Sequence, residues 1–254
     1  MKIEHIHNFR CIGGNVLHHK RIKKGKLYRS GNLFDVHKED IEEMRRLGIR
    51  YIVDLRSDEE CREDPYELPS DFHRFHVSAL HTRDGLENFY FFMLIDKNSS
   101  SEEIRNAASF VHEGYRVLPF HNEAIQMILD LMRQDDGAIL FHCSSGKDRT
   151  GVIAALLQKL LGVGDADIME DYMRSNDYVM SNAIAHAEEL GFCGKEKETL
   201  VYCCTVHEEL LRSSWEEVLK KYSDWDSFFY QEYGLDEKKI THLRSLYVED
   251  SDEK

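Results

Sequence analysis

Apolar positions at Ile41, Met44 and Leu47 recur at helical spacing and stop at Gly48, and Tyr51-Ile52-Val53-Asp54-Leu55 then reads as a buried strand. That pair is an αβ step. Phe72 to Leu80 is a second strand candidate. Ala124, Ile125, Ile128, Leu129 and Met132 share one helical face ahead of the turn Asp135-Asp136-Gly137, beyond which Ala138-Ile139-Leu140-Phe141 is a short apolar strand. From Thr150 the period lengthens again: Ile153, Leu156, Leu157, Leu160 and Leu161 fall at i, i+3, i+4, i+7 and i+8, and Gly162 ends the run. A strand, a polar loop and a buried helix thus follow one another between 138 and 162.

Further on, Asp165 and Asp177 precede helical patterns, the second closed by Gly191. Ser214-Trp215-Glu216-Glu217 has capping-box spacing, and Asp224 and Asp236 are placed to cap two short helices separated by Gly234. The aromatic residues Trp215, Tyr222, Trp225, Phe228, Phe229, Tyr230 and Tyr233 read as core. The pattern predicts an α/β fold with helices on both sides of a central sheet and a helical C-terminal third. With no repeat, and no Gly/Ser-rich stretch around any of the three prolines, one domain is expected.

Composition narrows the picture. At 254 residues and 42% hydrophobic the chain can bury a sizeable core, and its longest apolar run, Phe89 to Ile95, is far too short to span a bilayer. Met1-Lys2-Ile3-Glu4-His5 opens without the apolar stretch of a secretory signal, so a cytoplasmic location is expected, with export by another route left open. The cysteines at 11, 61, 143, 193, 203 and 204 show neither disulfide-framework nor zinc-ribbon spacing, which suits reduced thiols. A net charge of −14 argues against nucleic acid and anionic membranes as partners. The basic run from Lys20 to Arg29 reads as a solvated hairpin around Gly25, with an anion-attracting rim as the alternative. Glu249 to Lys254 is too polar to pack and reads as a frayed acidic tail. His5, His7, His18 and His19 have no carboxylate or thiol at ligand spacing, so no metal site is expected.

The candidate chemistry lies in His142-Cys143-Ser144-Ser145-Gly146-Lys147-Asp148-Arg149-Thr150-Gly151, where five residues separate cysteine from arginine between a strand and a helix N-terminus. Unpaired amides at such a terminus, with the helix dipole behind them, make a cradle for a tetrahedral dianion. Gly146 lets the backbone curl, and Arg149 can grip two phosphate oxygens in a fork that lysine cannot reproduce. The same field favours the nucleophilic thiolate of Cys143, to which Thr150 is placed to donate a hydrogen bond, while His142 can order the strand end.

This loop resembles the active-site signature of the protein tyrosine phosphatase superfamily, and Lys147-Asp148 within it is similar to an atypical bacterial branch of tyrosine phosphatases. Some members of that branch also hydrolyse phosphoserine, phosphothreonine and phosphoinositides. The likeness extends to Asn8-Phe9-Arg10, Gly13-Gly14, Leu27-Tyr28-Arg29-Ser30-Gly31, Leu47-Gly48-Ile49-Arg50, Val53-Asp54-Leu55-Arg56-Ser57 and Asp171 to Asp177, and is weakest at 82–118 and 191–210. It implies a phosphatase-like fold with a central, mainly parallel sheet, one phosphatase domain over 1–248, a lid insertion within 82–118 and a tail over 249–254. Phe89 to Ile95 is as readily core as lid.

The implied function is cysteine-dependent hydrolysis of phosphotyrosine through a phosphocysteine, with phosphoserine, phosphothreonine or phosphoinositides as further substrates and no cofactor. Cys143, Arg149 and Thr150 form the catalytic set, and Ser144, Ser145, Gly146, Lys147, Asp148 and Arg149 the phosphate site, Lys147 adding a second cation. The superfamily's upstream Trp-Pro-Asp tripeptide is absent here. The resemblance to the atypical branch implies a catalytic part for the loop aspartate, here Asp148, which is the favoured general acid because it is anchored to the cradle, with Asp84 and His81, on the upstream segment, as challengers. Asp54 and Arg56, at a strand end, read as a buried ion pair. A non-catalytic phosphate-binding module is the alternative function, and a sulfurtransferase a weaker one.

Overall fold

The structure, a computed structural model, describes residues 3–16, 19–80 and 95–251. The chain begins with the short strands β1 (Arg10–Cys11), β2 (Asn15–Val16) and β3 (Lys20–Ile22), then β4 (Leu27–Ser30), α1 (Lys38–Arg46), β5 (Ile49–Asp54), α2 (Asp58–Glu63) and β6 (His73–His76). α3 (Ser101–Val117) and α4 (Glu123–Gln134) lead to β7 (Ala138–His142) and α5 (Arg149–Leu161). The remainder is α6 (Asp165–Met173), α7 (Asn176–Glu189), α8 (Gly194–Cys204), α9 (Glu208–Lys221), α10 (Trp225–Tyr233), α11 (Glu237–Tyr247) and β8 (Val248–Asp250). The expected α/β fold with its helical C-terminal third is what forms.

One five-stranded sheet in the order β1-β4-β7-β5-β6 is parallel except for β1. Alternation along its strands sorts the core into two layers. Tyr28, Ile52 and Leu140 pack with Met44 of α1, Ile6 and Leu33, while Leu27, Tyr51, Val53, Ile139 and Phe141 face the packed sides of α3, α4 and α5. α5 is apolar almost all round, and nearly every residue from Arg149 to Leu161 is buried, so it is a central helix rather than an amphipathic one. Register places Ser30 and Asp54 level with His142. The carboxyl ends of three adjacent strands therefore open at one level, with Cys143 directly beyond the middle one, where parallel sheets place their ligands.

Several expectations need correction. Strand β6 stops at His76, although Val77 and Ala79 still donate to the carbonyls of Asp54 and Leu55 at 2.9 and 3.1 Å. The basic run is not a hairpin: β3 pairs with β2 and β8 in a separate three-stranded sheet, and the turn at Gly25 hands the chain to β4 in the main one. Nor is it an anion rim, since Lys23 caps the carbonyls of Ser245 and Leu246, Lys26 pairs with Asp135, and Arg29 is fully buried. The tail does not fray from 249. Glu249 and Asp250 lie in β8, and Glu249 pairs with Arg21 at 2.9 Å. Gly164 and Ser175 are the N-caps of α6 and α7, which leaves Asp165 and Asp177 in first turns, where the dipole favours an acid. Ser214 sits inside α9, its hydroxyl buried, so the capping-box spacing there is coincidental. Asp224 and Asp236 do cap α10 and α11, and Gly234 ends α10 at φ +64.

Candidate active site

The loop from Cys143 to Asp148 is held by its carbonyls. Asn32 N–H donates to Ser144 O at 2.7 Å, the Asn8 amide to Ser145 O and Gly146 O at 3.1 and 2.9 Å, and Arg29 Nη2 to Gly146 O at 2.8 Å. In a trans peptide the N–H points opposite the carbonyl, so carbonyls drawn outward turn the amides of 145–147 towards the inside of the loop. Gly146 has φ +68, and a Cβ there would lie 2.3 Å from the Ser30 carbonyl oxygen. Gly146→Ala is accordingly expected to cost about 2 kcal/mol or more and to weaken phosphate binding; urea melts and a phosphate titration check both.

Beneath the loop, Asp171 accepts from Arg10 Nε at 2.7 Å and Arg29 Nη1 at 2.9 Å. Burial would raise its carboxyl, but these two guanidinium groups hold it below the ordinary carboxylate range. The N-terminal segment, β4 and α6 are thus tied together under the cradle.

Arg149 opens α5 and is gripped end-on by Glu60, whose two oxygens meet Nη1 and Nη2, while Ser144 Oγ donates to the same carboxylate. An end-on fork leaves the Nε–H and one hydrogen on each Nη for a phosphate. Burial opposes both charges, yet each outweighs it for the other: Glu60 lies below its ordinary range and Arg149 above. Glu60 is delivered by α2, whose capping box with Ser57 starts the helix.

The expected Asp54–Arg56 pair is present, both side chains fully buried and joined by two 2.9 Å bonds, with Arg74 adding a third to Asp54 at 2.8 Å. Burial would raise Asp54; the Arg56 fork outweighs it and holds the carboxyl low. His142 is itself pushed down by burial. Its Nδ1 faces the Cys143 carbonyl at 3.2 Å and must donate, which leaves Nε2 to accept the Tyr66 hydroxyl at 2.7 Å. The strand end carrying Cys143 is fixed through that ring.

Cys143 is 2% exposed at the base of the cradle. Thr150 does not make the expected bond to its sulfur: Oγ1 is buried without a hydrogen-bond partner among the described residues. Asp148, buried at the N-cap of α5, accepts the Tyr115 hydroxyl on Oδ1 at 2.7 Å and meets Lys147 Nζ through Oδ2 at 2.7 Å. Lys147 Nζ also donates to Cys203 O at 2.9 Å. It is therefore bound up with Asp148 and α8 rather than offered outward as a second cation. His81, Asp84, His18 and Phe89 to Leu94 lie outside the described residues. Of the proposed 82–118 insertion, α3 is described, and it packs in the core and reaches the loop through Tyr115.

A cavity of about 400 Å³ adjoins the loop, lined by Ser145 and Lys147, by Val179, Asn182, Ala183 and His186 on one face of α7, and by Cys204. Among the described residues no cluster of His, Cys, Asp and Glu is arranged to hold a metal ion, and no helix is long and apolar enough to cross a membrane.

Fold and loop together define the class: an α/β protein in which a strand-to-helix loop of the Cys-x5-Arg type stands at the carboxyl end of a mainly parallel sheet. Within that class the chain belongs to the tyrosine phosphatase family, whose sequence profile matches residues 1–249. It is 34% identical over 174 residues to a Cupriavidus necator protein carrying a tyrosine-protein phosphatase name, covering 67% of this chain and 61% of that one. It is 32% identical over 197 residues to the triple specificity protein phosphatase PtpB of Mycobacterium tuberculosis, covering 68% of this chain and 67% of that one. A tyrosine-protein phosphatase of Nostoc commune is 32% identical over 151 residues, 59% of this chain and 48% of that one. The chain thus spans about half to two thirds of the curated relatives it matches.

Glu60, Tyr115 and Tyr172 complete the site and are not among the sequence candidates. The Ser57-to-Glu60 spacing announces a helix start, but nothing local links it to Arg149.

Proposed function

We propose that the chain hydrolyses phosphomonoesters, phosphotyrosine first among them, through a covalent phosphocysteine. The observation that carries this reading is the inward-facing cradle between Cys143 and Arg149 at the carboxyl end of the central strand. The Cys143 thiolate attacks phosphorus, the ester P–O bond breaks, and the departing oxygen takes the proton that Asp148 picks up from solvent when the phosphate dianion binds beside it. Water then attacks the same phosphorus, its proton passes to Asp148, and the S–P bond breaks to return thiolate and orthophosphate. Ser145, Gly146 and Lys147 contribute inward-turned backbone amides, with Ser144 beside them, and Thr150 stands next to Arg149 at the start of α5.

Residues 1–248 act as one catalytic unit in this reading, with no cofactor. The mycobacterial relative's name, a triple specificity protein phosphatase, supports a range wider than phosphotyrosine alone; phosphoserine, phosphothreonine and phosphoinositides are the further substrates of this reading. Because Lys147 is matched by Asp148, it adds little net charge for a multiply phosphorylated headgroup, which favours phosphotyrosine. All six cysteines are unpaired, in keeping with a cytoplasmic enzyme.

Release of orthophosphate from phosphotyrosine peptides, with an acid-quenched phosphoprotein on Cys143, is the expected result. Phosphate binding without release from phosphopeptides or phosphoinositides would make the chain a binding module instead. For the proton donor, Asp148→Asn is expected to slow an alkyl phosphate by about 10²-fold, an activated aryl phosphate far less, and to remove the alkaline limb of the pH–rate profile. Equal slowing of both, with that limb kept, would move the acid to the segment holding His81 and Asp84.

A further inference from the structure

We infer that Tyr115 and Tyr172 are positioning residues for Asp148, forming a one-way hydrogen-bond chain that fixes Oδ1 and leaves Oδ2 as the reacting edge. The inference rests on the phosphatase reading for its kinetic consequence, but the chain itself stands on geometry.

Tyr115, on α3, gives its single hydroxyl hydrogen to Asp148 Oδ1 at 2.7 Å. Its oxygen lies 2.7 Å from the Tyr172 hydroxyl on α6, and with its own hydrogen committed it must accept there. Direction is therefore set from the Asp148 end: Tyr115 donates to Asp148, and Tyr172 to Tyr115. Both phenols are 1% exposed. Burial, reinforced by the Asp148 charge, pushes the pKa of both phenols well above the ordinary value, so each retains the hydrogen the chain needs. Successive hydroxyls polarise one another, which stiffens such a chain beyond its separate links.

The carboxyl is thereby divided between two tasks. Oδ1 is anchored in the core by two helices that the loop itself does not contain, α3 and α6. Oδ2 faces Lys147, which also lines the cavity beside the loop. A proton exchanged with substrate or water has to pass through Oδ2. A 1 Å drift of that atom is enough to spoil proton transfer, so the anchor acts on rate without touching substrate.

The test compares the unmutated chain with Tyr115→Phe, Tyr172→Phe, Asp148→Asn and the Tyr115→Phe/Asp148→Asn pair. For Tyr115→Phe, kcat/KM is expected to fall about tenfold on phosphotyrosine and by less on p-nitrophenyl phosphate, whose leaving group needs little protonation. Affinity for inorganic phosphate stays unchanged. On the Asp148→Asn background, Tyr115→Phe should add no further loss. Equal factors on both substrates, or an undiminished loss on that background, would overturn the proposal.

A second readout does not depend on turnover: the carboxyl 13C resonance of Asp148 should move in Tyr115→Phe and, in the same direction but by less, in Tyr172→Phe. The exposed Tyr230→Phe control should leave it in place. A resonance indifferent to Tyr115 and Tyr172 refutes the chain. If the unmutated protein hydrolyses neither substrate, the phosphatase reading fails and the resonance alone decides the chain.

Discussion

Cys143→Ser is expected to remove steady-state hydrolysis of aryl phosphates, on the order of 10⁴-fold or more, while binding of inorganic phosphate persists. A serine hydroxyl is not ionised near neutral pH, and no hydrogen bond among the described residues joins the side chain at 143 to a base. The cradle, by contrast, owes nothing to the sulfur. Its carbonyls are held by Asn8, Arg29 and Asn32, and Arg149 is held by Glu60. Initial rates together with calorimetric phosphate titration separate the two properties. Appreciable turnover in the variant would rule out the covalent route. Loss of phosphate binding as well would mean that the sulfur helps to shape the loop.

Glu60→Ala should be the most damaging single change away from the loop. It leaves Arg149 buried without its carboxylate, for which a cost of about 3–5 kcal/mol is usual, and it frees the guanidinium to swing out of register, worth about 10²-fold in kcat/KM. The pH dependence has a definite sign. Glu60 is held below its ordinary range in the folded protein, so its contribution is complete above the unfolded carboxyl value of about 4.3 and is lost as pH falls below it. The stability gap between Glu60→Ala and the unmutated chain should therefore be wide at pH 7 and narrow in acid. Glu60→Gln, which keeps one acceptor, should fall between them. Urea melts at both pH values and phosphatase assays at pH 7 test this, and an unchanged Glu60→Ala protein would show that the pair does not hold Arg149 in place.

The contrast between Cys143 and Glu60 shows how far the chain alone could be read. Cys143, Gly146 and Arg149 announced themselves because their chemistry is local. A thiol, a glycine and a guanidinium at fixed spacing between an apolar strand and an apolar helix leave little freedom in how they can be arranged. The Asp54–Arg56 pair was legible for the same reason, as the two residues are neighbours at one strand end. Ser214 shows the limit of spacing, since the same Ser-x-x-Glu pattern serves equally well inside a helix.

What the amino-acid sequence determined by itself was the αβ step at α1 and β5, the run of α4, β7 and α5, the α/β class and the Cys-x5-Arg loop between strand and helix, all of which depend on periodicity or on contacts a few residues long. Only the tertiary structure decided what surrounds that loop. The pairing of Glu60 with Arg149, of Tyr115 with Asp148 and of Asn8 with Gly146 joins residues far apart in the chain, and a contact between distant residues leaves no period or spacing to read. The same holds for strand partners. Whether β3 turns back on β4 or pairs with β8 depends on which backbone edges meet after the helices have packed, and side-chain alternation, identical in either pairing, cannot distinguish them.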